Sequence, residues 1–122
     1  MIVAGFGFTT RATALSLTQA LSATGCNADI DRIAVPHDKA AHPAILDFAQ
    51  AQGWDIAAIQ PQPLEAVRTE TQSFLSRLTR RTGSVAEASA LAGAGLGAKL
   101  IATRHISDDR MATCAIAQGP DT

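Results

Sequence analysis

Three segments of the chain carry polar side chains and glycines at spacings that can do chemistry. The first is Gly5-Phe6-Gly7-Phe8-Thr9-Thr10-Arg11. It reads as a glycine-bearing turn from a strand into a helix. A helix N-terminus offers free N–H groups to an anion, and Gly7 would let a ligand approach the backbone. The dinucleotide-binding fingerprint needs a third glycine where Thr10 stands and an acid about 20 residues further on. Asp29 or Asp31 could be that acid, but the missing glycine argues against NAD. The competing reading is a tight structural turn. The second segment, Val35-Pro36-His37-Asp38-Lys39-Ala40-Ala41-His42-Pro43, is dense in polar groups. His37, Asp38 and His42 could be offered to a metal, but the spacing does not set both histidines on one helix face. A solvated loop with a helix cap is the plainer account, and no metal is expected. Lys39 is one of only two lysines and could act as a point charge for a carboxylate. The third segment is Thr82-Gly83-Ser84-Val85-Ala86-Glu87-Ala88-Ser89-Ala90. Ser84 is a good N-cap, with Glu87 as its capping-box partner. The same pair could be taken for nucleophile and base, but neighbours at this spacing more often cap a helix. His105 reads as a loop residue, and Cys114 as a small core residue in an apolar strand.

Composition bounds what these segments can serve. The 122 residues suit one domain with one core. An apolar fraction of 47% and a charged fraction of 17% fit a globular chain. Ten basic and eleven acidic side chains nearly cancel, without runs of like charge, so a nucleic-acid surface is not indicated. No apolar run has the length of a membrane span, and the N-terminus lacks the basic region of a signal peptide. Cys26 and Cys114 lie far apart and read as free thiols, which makes the cytoplasm the expected compartment.

The elements that must position these residues alternate. Ile2 to Phe6 reads as a buried strand. A helix follows, capped by Thr9 or Thr10 and running to about Thr24, with Ala14, Leu17 and Leu21 on its apolar face and Gly25 after its end. Ile30 to Val35 is a second strand. His42-Pro43 opens a second helix with Pro43 at its first position. Ile45, Phe48 and Ala49 form its apolar face, and Gly53 closes it. Trp54 to Ile59 is a third strand. Leu64 to Val67 reads as a helical turn. A further helix starts at Thr69 with Gln72 and ends in Arg77, Arg80 and Arg81. Ser84 starts the next helix. Leu100 to Thr103 and Ala112 to Ala117 are the last strands, joined by a loop from His105 to Arg110 with Asp108-Asp109 at its turn. The domain is expected over residues 1–117, with 118–122 as a flexible tail.

Strands alternating with helices imply an α/β fold. The expected architecture is a three-layer α/β/α sandwich with a small mixed, mainly parallel sheet and an antiparallel C-terminal strand pair. The last two strands are too close for a helical crossover. Ligands of open α/β sheets bind at the carboxyl ends of the strands, which points to the Gly5–Arg11 loop.

Taken in order, Gly5-Phe6-Gly7, His37-Asp38-Lys39, Gly83-Ser84-Val85-Ala86-Glu87-Ala88 and Thr113-Cys114-Ala115-Ile116-Ala117 resemble the pattern of the CobE family. That family is also found as the C-terminal domain of CbiG, and both belong to cobalamin (vitamin B12) biosynthesis. The resemblance covers nearly the whole chain. It implies a role in making the corrin ring and a precorrin or corrinoid ligand, a tetrapyrrole. Full-length CbiG proteins open a lactone on a cobalt-precorrin and release acetaldehyde. This chain looks like the stand-alone form of the aerobic route, so a carrier or accessory protein is expected, with no cofactor. Another cobalamin-pathway enzyme is a plausible partner. The substrate-binding set would be Gly5, Gly7, Phe8, Thr9, Thr10, Arg11, Asp38, Lys39, His42, Gly83, Ser84 and Glu87. A hydrolase that opens a precorrin lactone, with Glu87 or His42 as general base, is the enzymatic alternative. A small anion- or nucleotide-binding module is the alternative independent of the resemblance.

Overall fold

At the centre of the sheet the first strand of the chain pairs with the last described one. The structure, a computed structural model, describes residues 1–26, 29–60, 85–95 and 97–119. The element order is β1 (Ile2–Phe8), α1 (Ala14–Ala23), β2 (Arg32–Pro36), a 3-10 turn (His37–Lys39), α2 (Pro43–Gln52), β3 (Asp55–Ile59), α3 (Val85–Ala94), β4 (Lys99–Ile106) and β5 (Ala112–Gln118). The five strands lie in the order β3-β2-β1-β5-β4. β1, β2 and β3 pair in parallel, whereas β5 runs antiparallel to both β1 and β4. Only β5 therefore opposes the common strand direction, which is the mixed, mainly parallel sheet expected from the sequence.

Alternation along the strands sorts side chains into two layers. Ala4 and Phe6 of β1 join Ile33 and Val35 of β2 beneath Leu17 and Ala20 of α1 and Ile45 and Phe48 of α2. Phe48 meets Phe6 edge to face at 5.2 Å and Trp54 at 6.0 Å. On the opposite face Val3, Ala34 and Ile59 cluster with Ala92 and Ala94 of α3. That face is tight. A methyl group on Gly5 would lie 2.2 Å from the Ala86 carbonyl oxygen and 2.4 Å from the Ala90 nitrogen. One on Gly93 would lie 2.8 Å from the Ala34 Cβ. Glycines thus let helix backbone rest almost directly on strand backbone. The first half of α3, from Ala86 to Ala90, is buried on every side.

Several local expectations shift. β1 does not stop at Phe6 but runs through Gly7 to Phe8, because all seven of its residues find partners on β5, from Ile2↔Gln118 to Phe8↔Ala112. Gly5 and Gly7 are strand residues, and Gly5 is covered by α3, which removes it from any turn at the strand end. α1 begins later than expected. Its N-cap is Thr13, in a capping box with Ser16, so Thr9 and Thr10 do not stand at a helix N-terminus. β4 includes His105, which is therefore in a strand rather than a loop. Gln118 ends β5 instead of opening a tail, and the Gly119 N–H bonds the Met1 carbonyl at 2.8 Å. α2 matches its expected signals: Pro43 at the first turn, Ile45, Phe48 and Ala49 buried, and Gly53 left-handed at φ 76°. The elements expected between Leu64 and Arg81 lie outside the described residues.

Candidate functional site

The carboxyl ends of β1 and β2, the turn between β4 and β5, and the first residue of α3 surround one cavity of about 510 Å³. This is where an open α/β sheet leaves its crevice, beside the strand at which the order of connection reverses.

One wall comes from β1 and the segment after β2. Gly7, Phe8 and Thr9 line it, facing Pro36, Asp38 and Lys39. Pro36 ends β2 because its ring removes a ladder donor, and the chain turns at once into the short 3-10 helix that carries Asp38 and Lys39. The Lys39 ammonium lies 5.6 Å from the centre of the Phe8 ring, a cation–π contact that holds the charge over an apolar floor. His42 packs edge-on against the same ring at 5.2 Å. Its Nδ1 accepts from the Ala44 N–H at 3.1 Å, and its Nε2 donates to the Thr10 carbonyl at 2.9 Å. Both ring nitrogens are thus spent on backbone, and His42 is the N-cap of α2. That pattern leaves no lone pair for a metal. Among the described residues no group of three or more His, Cys, Asp or Glu side chains could hold a metal ion.

The facing wall comes from β4, β5 and their turn, with Arg104, Arg110, Met111, Ala112 and Thr113. Arg110 has φ 62°, the one left-handed non-glycine residue among those described. Such a backbone costs of order 1 kcal/mol or more and survives only where surroundings enforce it. Here Asp109 does so. Its carboxylate accepts from Ser107 Oγ at 2.6 Å, from the Met111 N–H at 3.0 Å and, across the fold, from Ser16 Oγ at 2.5 Å. These bonds, that of Ser107 foremost, hold its carboxyl below the ordinary carboxylate range. Ser107 Oγ in turn accepts from the Ala112 N–H at 3.1 Å. The turn is thereby tied to the start of α1, and Arg110 is presented to the cavity. Behind Arg104, the buried carboxylate of Glu87 accepts the Arg104 backbone N–H at 3.3 Å. Arg104 sits where β4 carries one residue more than β5, between the pairs Ala102↔Ile116 and His105↔Cys114. Such a bulge redirects the strand and its side chains.

Among the described residues the lining holds three cations, Lys39, Arg104 and Arg110, against one acid, Asp38. Between them lie the apolar surfaces of Phe8, Pro36, Val85 and Met111. An anionic ligand with an apolar body matches this mixture.

Of the residues singled out in the sequence, Gly7, Phe8, Thr9, Asp38 and Lys39 come together in the lining. Gly5 lies under α3. Thr10 and Arg11 are exposed in the turn before α1, outside the lining, and Thr10 serves His42 through its carbonyl. His42 and Glu87 stand behind the walls rather than in them. Gly83 and Ser84 fall outside the described residues. The two arginines of the β4–β5 side were missed. Their only trace in the sequence is that they flank the Asp108-Asp109 turn near the end of one strand and the start of the next.

Comparison with known proteins agrees with this fold. The family model described as cobalamin synthesis G C-terminus matches residues 2–117. The crystal structure of the cobalamin biosynthesis protein chiG from Agrobacterium tumefaciens str. C58 superposes with a TM-score of 0.80 at 31% identity, covering 99% of this chain and 100% of that one. That of CobE, a protein from the cobalamin (vitamin B12) biosynthetic pathway, superposes at 0.75 with 26% identity, covering 96% of this chain and 89% of that one. No curated protein sequence matches.

Proposed function

The chain belongs to the cobalamin synthesis G C-terminus family, and from that premise we propose that its cavity binds a precorrin or corrinoid intermediate by its carboxylates, as a carrier or accessory protein. The observation that carries this reading is the set of three cations, Lys39, Arg104 and Arg110, arrayed from three separate segments around an apolar floor. Intermediates of this kind are flat apolar macrocycles fringed with acetate and propionate groups. Each charge-assisted contact contributes about 1.5–3 kcal/mol, which only offsets association costs, so burial of the macrocycle's apolar faces supplies the net affinity. Arginine suits a carboxylate through its two-pronged donor geometry, and lysine adds a point charge.

Binding without turnover is favoured by how the two candidate bases are used. The ring nitrogens of His42 cap α2 and hold Thr10, and the carboxylate of Glu87 holds the β4 backbone. Neither lines the cavity. A general base must reach the proton it removes. The test is titration of the purified protein with hydrogenobyrinic acid, followed by absorbance and calorimetry. Micromolar binding that weakens with rising salt supports the reading. Absence of any spectral or heat change at millimolar ligand refutes it. Acetaldehyde or acetate release during the incubation would instead favour the enzymatic alternative.

A further inference from the structure

A carboxylate in the middle of a run of alanines needs a reason. Glu87 is only 6% exposed, between Ala86 and Ala88, at a place where packing alone calls for small apolar residues. Burying a charged group is costly unless hydrogen bonds compensate. One such bond goes to the Arg104 N–H, at the second of the two points where β4 gains a residue on β5. The neighbouring Thr103 carbonyl accepts from His105 Nδ1 at 2.7 Å. Two backbone groups at the bulge are therefore held by side chains. The effect shows in burial: exposed and half-buried residues alternate from Lys99 to Arg104, and then His105 is half-buried too.

We infer that Glu87 is a positioning residue for the site: by fixing the β4 bulge at Arg104 it keeps that guanidinium in the cavity and so sets affinity for a ligand with several carboxylates. Strand side chains alternate with a period of two. A bulge that slips by one residue turns Arg104 to the other face of the sheet and brings Thr103 or His105 in its place. Among the described residues β4 is an edge strand, paired on one side, so its own ladder resists such a slip poorly. A fixed acceptor on α3 supplies the missing constraint. The dependence on ligand rests on the corrinoid-binding reading; the anchoring of the bulge does not.

The experiment compares wild type, Glu87→Gln, Arg104→Ala and the double variant. Glu87→Gln keeps the side-chain volume and a neutral acceptor, and so guards against loss of the fold. Hydrogenobyrinic acid is titrated into each, and the Arg104 amide is followed by NMR and hydrogen exchange. Arg104→Ala is expected to weaken binding about tenfold or more, and Glu87→Gln about three- to tenfold. The double variant should bind no more weakly than Arg104→Ala alone, because both changes remove one contact. Wild-type affinity in Glu87→Gln, or effects that multiply in the double variant, overturns the inference. If wild type itself does not bind the acid, the proposed function fails and the Arg104 amide decides. Protection that drops in Glu87→Gln while the melting temperature holds supports the anchor; unchanged protection overturns it.

Discussion

Replacing Gly5 by alanine separates two accounts of that glycine. A methyl group there would stand 2.2 Å from the Ala86 carbonyl oxygen, 2.4 Å from the Ala90 nitrogen and 2.8 Å from the Ala90 Cα. Ordinary contact begins near 3.4 Å, so α3 must retreat from the sheet by roughly 1 Å. All three obstacles are backbone, and no rotamer change relieves them. A gap of that size forfeits about a quarter to a half of the dispersion energy of each contact it opens. Overpacking costs typically about 1–3 kcal/mol, and a rigid backbone clash belongs at the upper end. With a loss of about 3 kcal/mol and a urea m-value of about 2 kcal/mol/M, the unfolding midpoint falls by about 1.5 M. Gly53→Ala is the control: it has left-handed backbone at φ 76° but open space around it, and should cost only about 1 kcal/mol. If Gly5 instead served as a close-approach glycine for a ligand, stability would be kept and binding lost. A Gly5→Ala midpoint within 0.5 M (about 1 kcal/mol) of wild type would refute the packing account.

Three other outcomes are expected. The Asp109 carboxyl is held low by Ser107, then Ser16 and the Met111 N–H. A lowered folded-state value gives stability that is present above the unfolded value, about 4, and lost as pH falls through the folded one. The stability difference between wild type and Asp109→Asn should therefore be flat from pH 7 to 5 and close below about 4, as read by denaturation at each pH. Arg110→Gly relieves left-handed strain and removes a cation, so thermal melts should show stability unchanged or raised by up to ~1 kcal/mol while hydrogenobyrinic acid binds about tenfold more weakly. Burial pushes the Cys114 thiol well above the ordinary range, whereas Cys26 is half-buried. A disulfide exchange reagent at pH 8 should label Cys26 in the native protein and reach Cys114 only on unfolding.

What could be read from the chain was local. Pro43, His42 and Gly53 mark α2 by backbone rules that act within one turn, and α2 forms where they say. The expected position of the site followed from strand order, and Phe8, Asp38 and Lys39 do face the cavity. The errors lie where distant partners decide. Gly5-Phe6-Gly7 looks like a turn until β5 supplies pairing along its whole length and α3 fills the space above Gly5. Thr13 and Ser16 cap α1 with a serine in place of the usual acid, and Ser16 also answers to Asp109, far along the chain. Arg104 enters the cavity at a bulge that no pattern within β4 announces, and the carboxylate bonded to its N–H lies on another element. Glu87 was read as a cap partner. Ser84, the cap in that reading, lies outside the described residues, whereas the bond of Glu87 to the Arg104 N–H serves a remote strand.

The place of β5 has a bearing on how the molecule assembles. It is the last strand in sequence but is flanked by the first strand and by β4, and its pairing of Ile2 with Gln118 joins residues more than a hundred positions apart. Until it docks, β1 has a bare edge and β4 has no neighbour in the sheet. Closing so long a loop is slow, because its entropy is lost before the contacts that reward it are made. The late step is also the one that draws Arg104 and Arg110 up to Lys39, so a chain caught before it would expose a sticky strand and hold no site. Acquisition of ligand binding during refolding should thus coincide with the slowest structural phase.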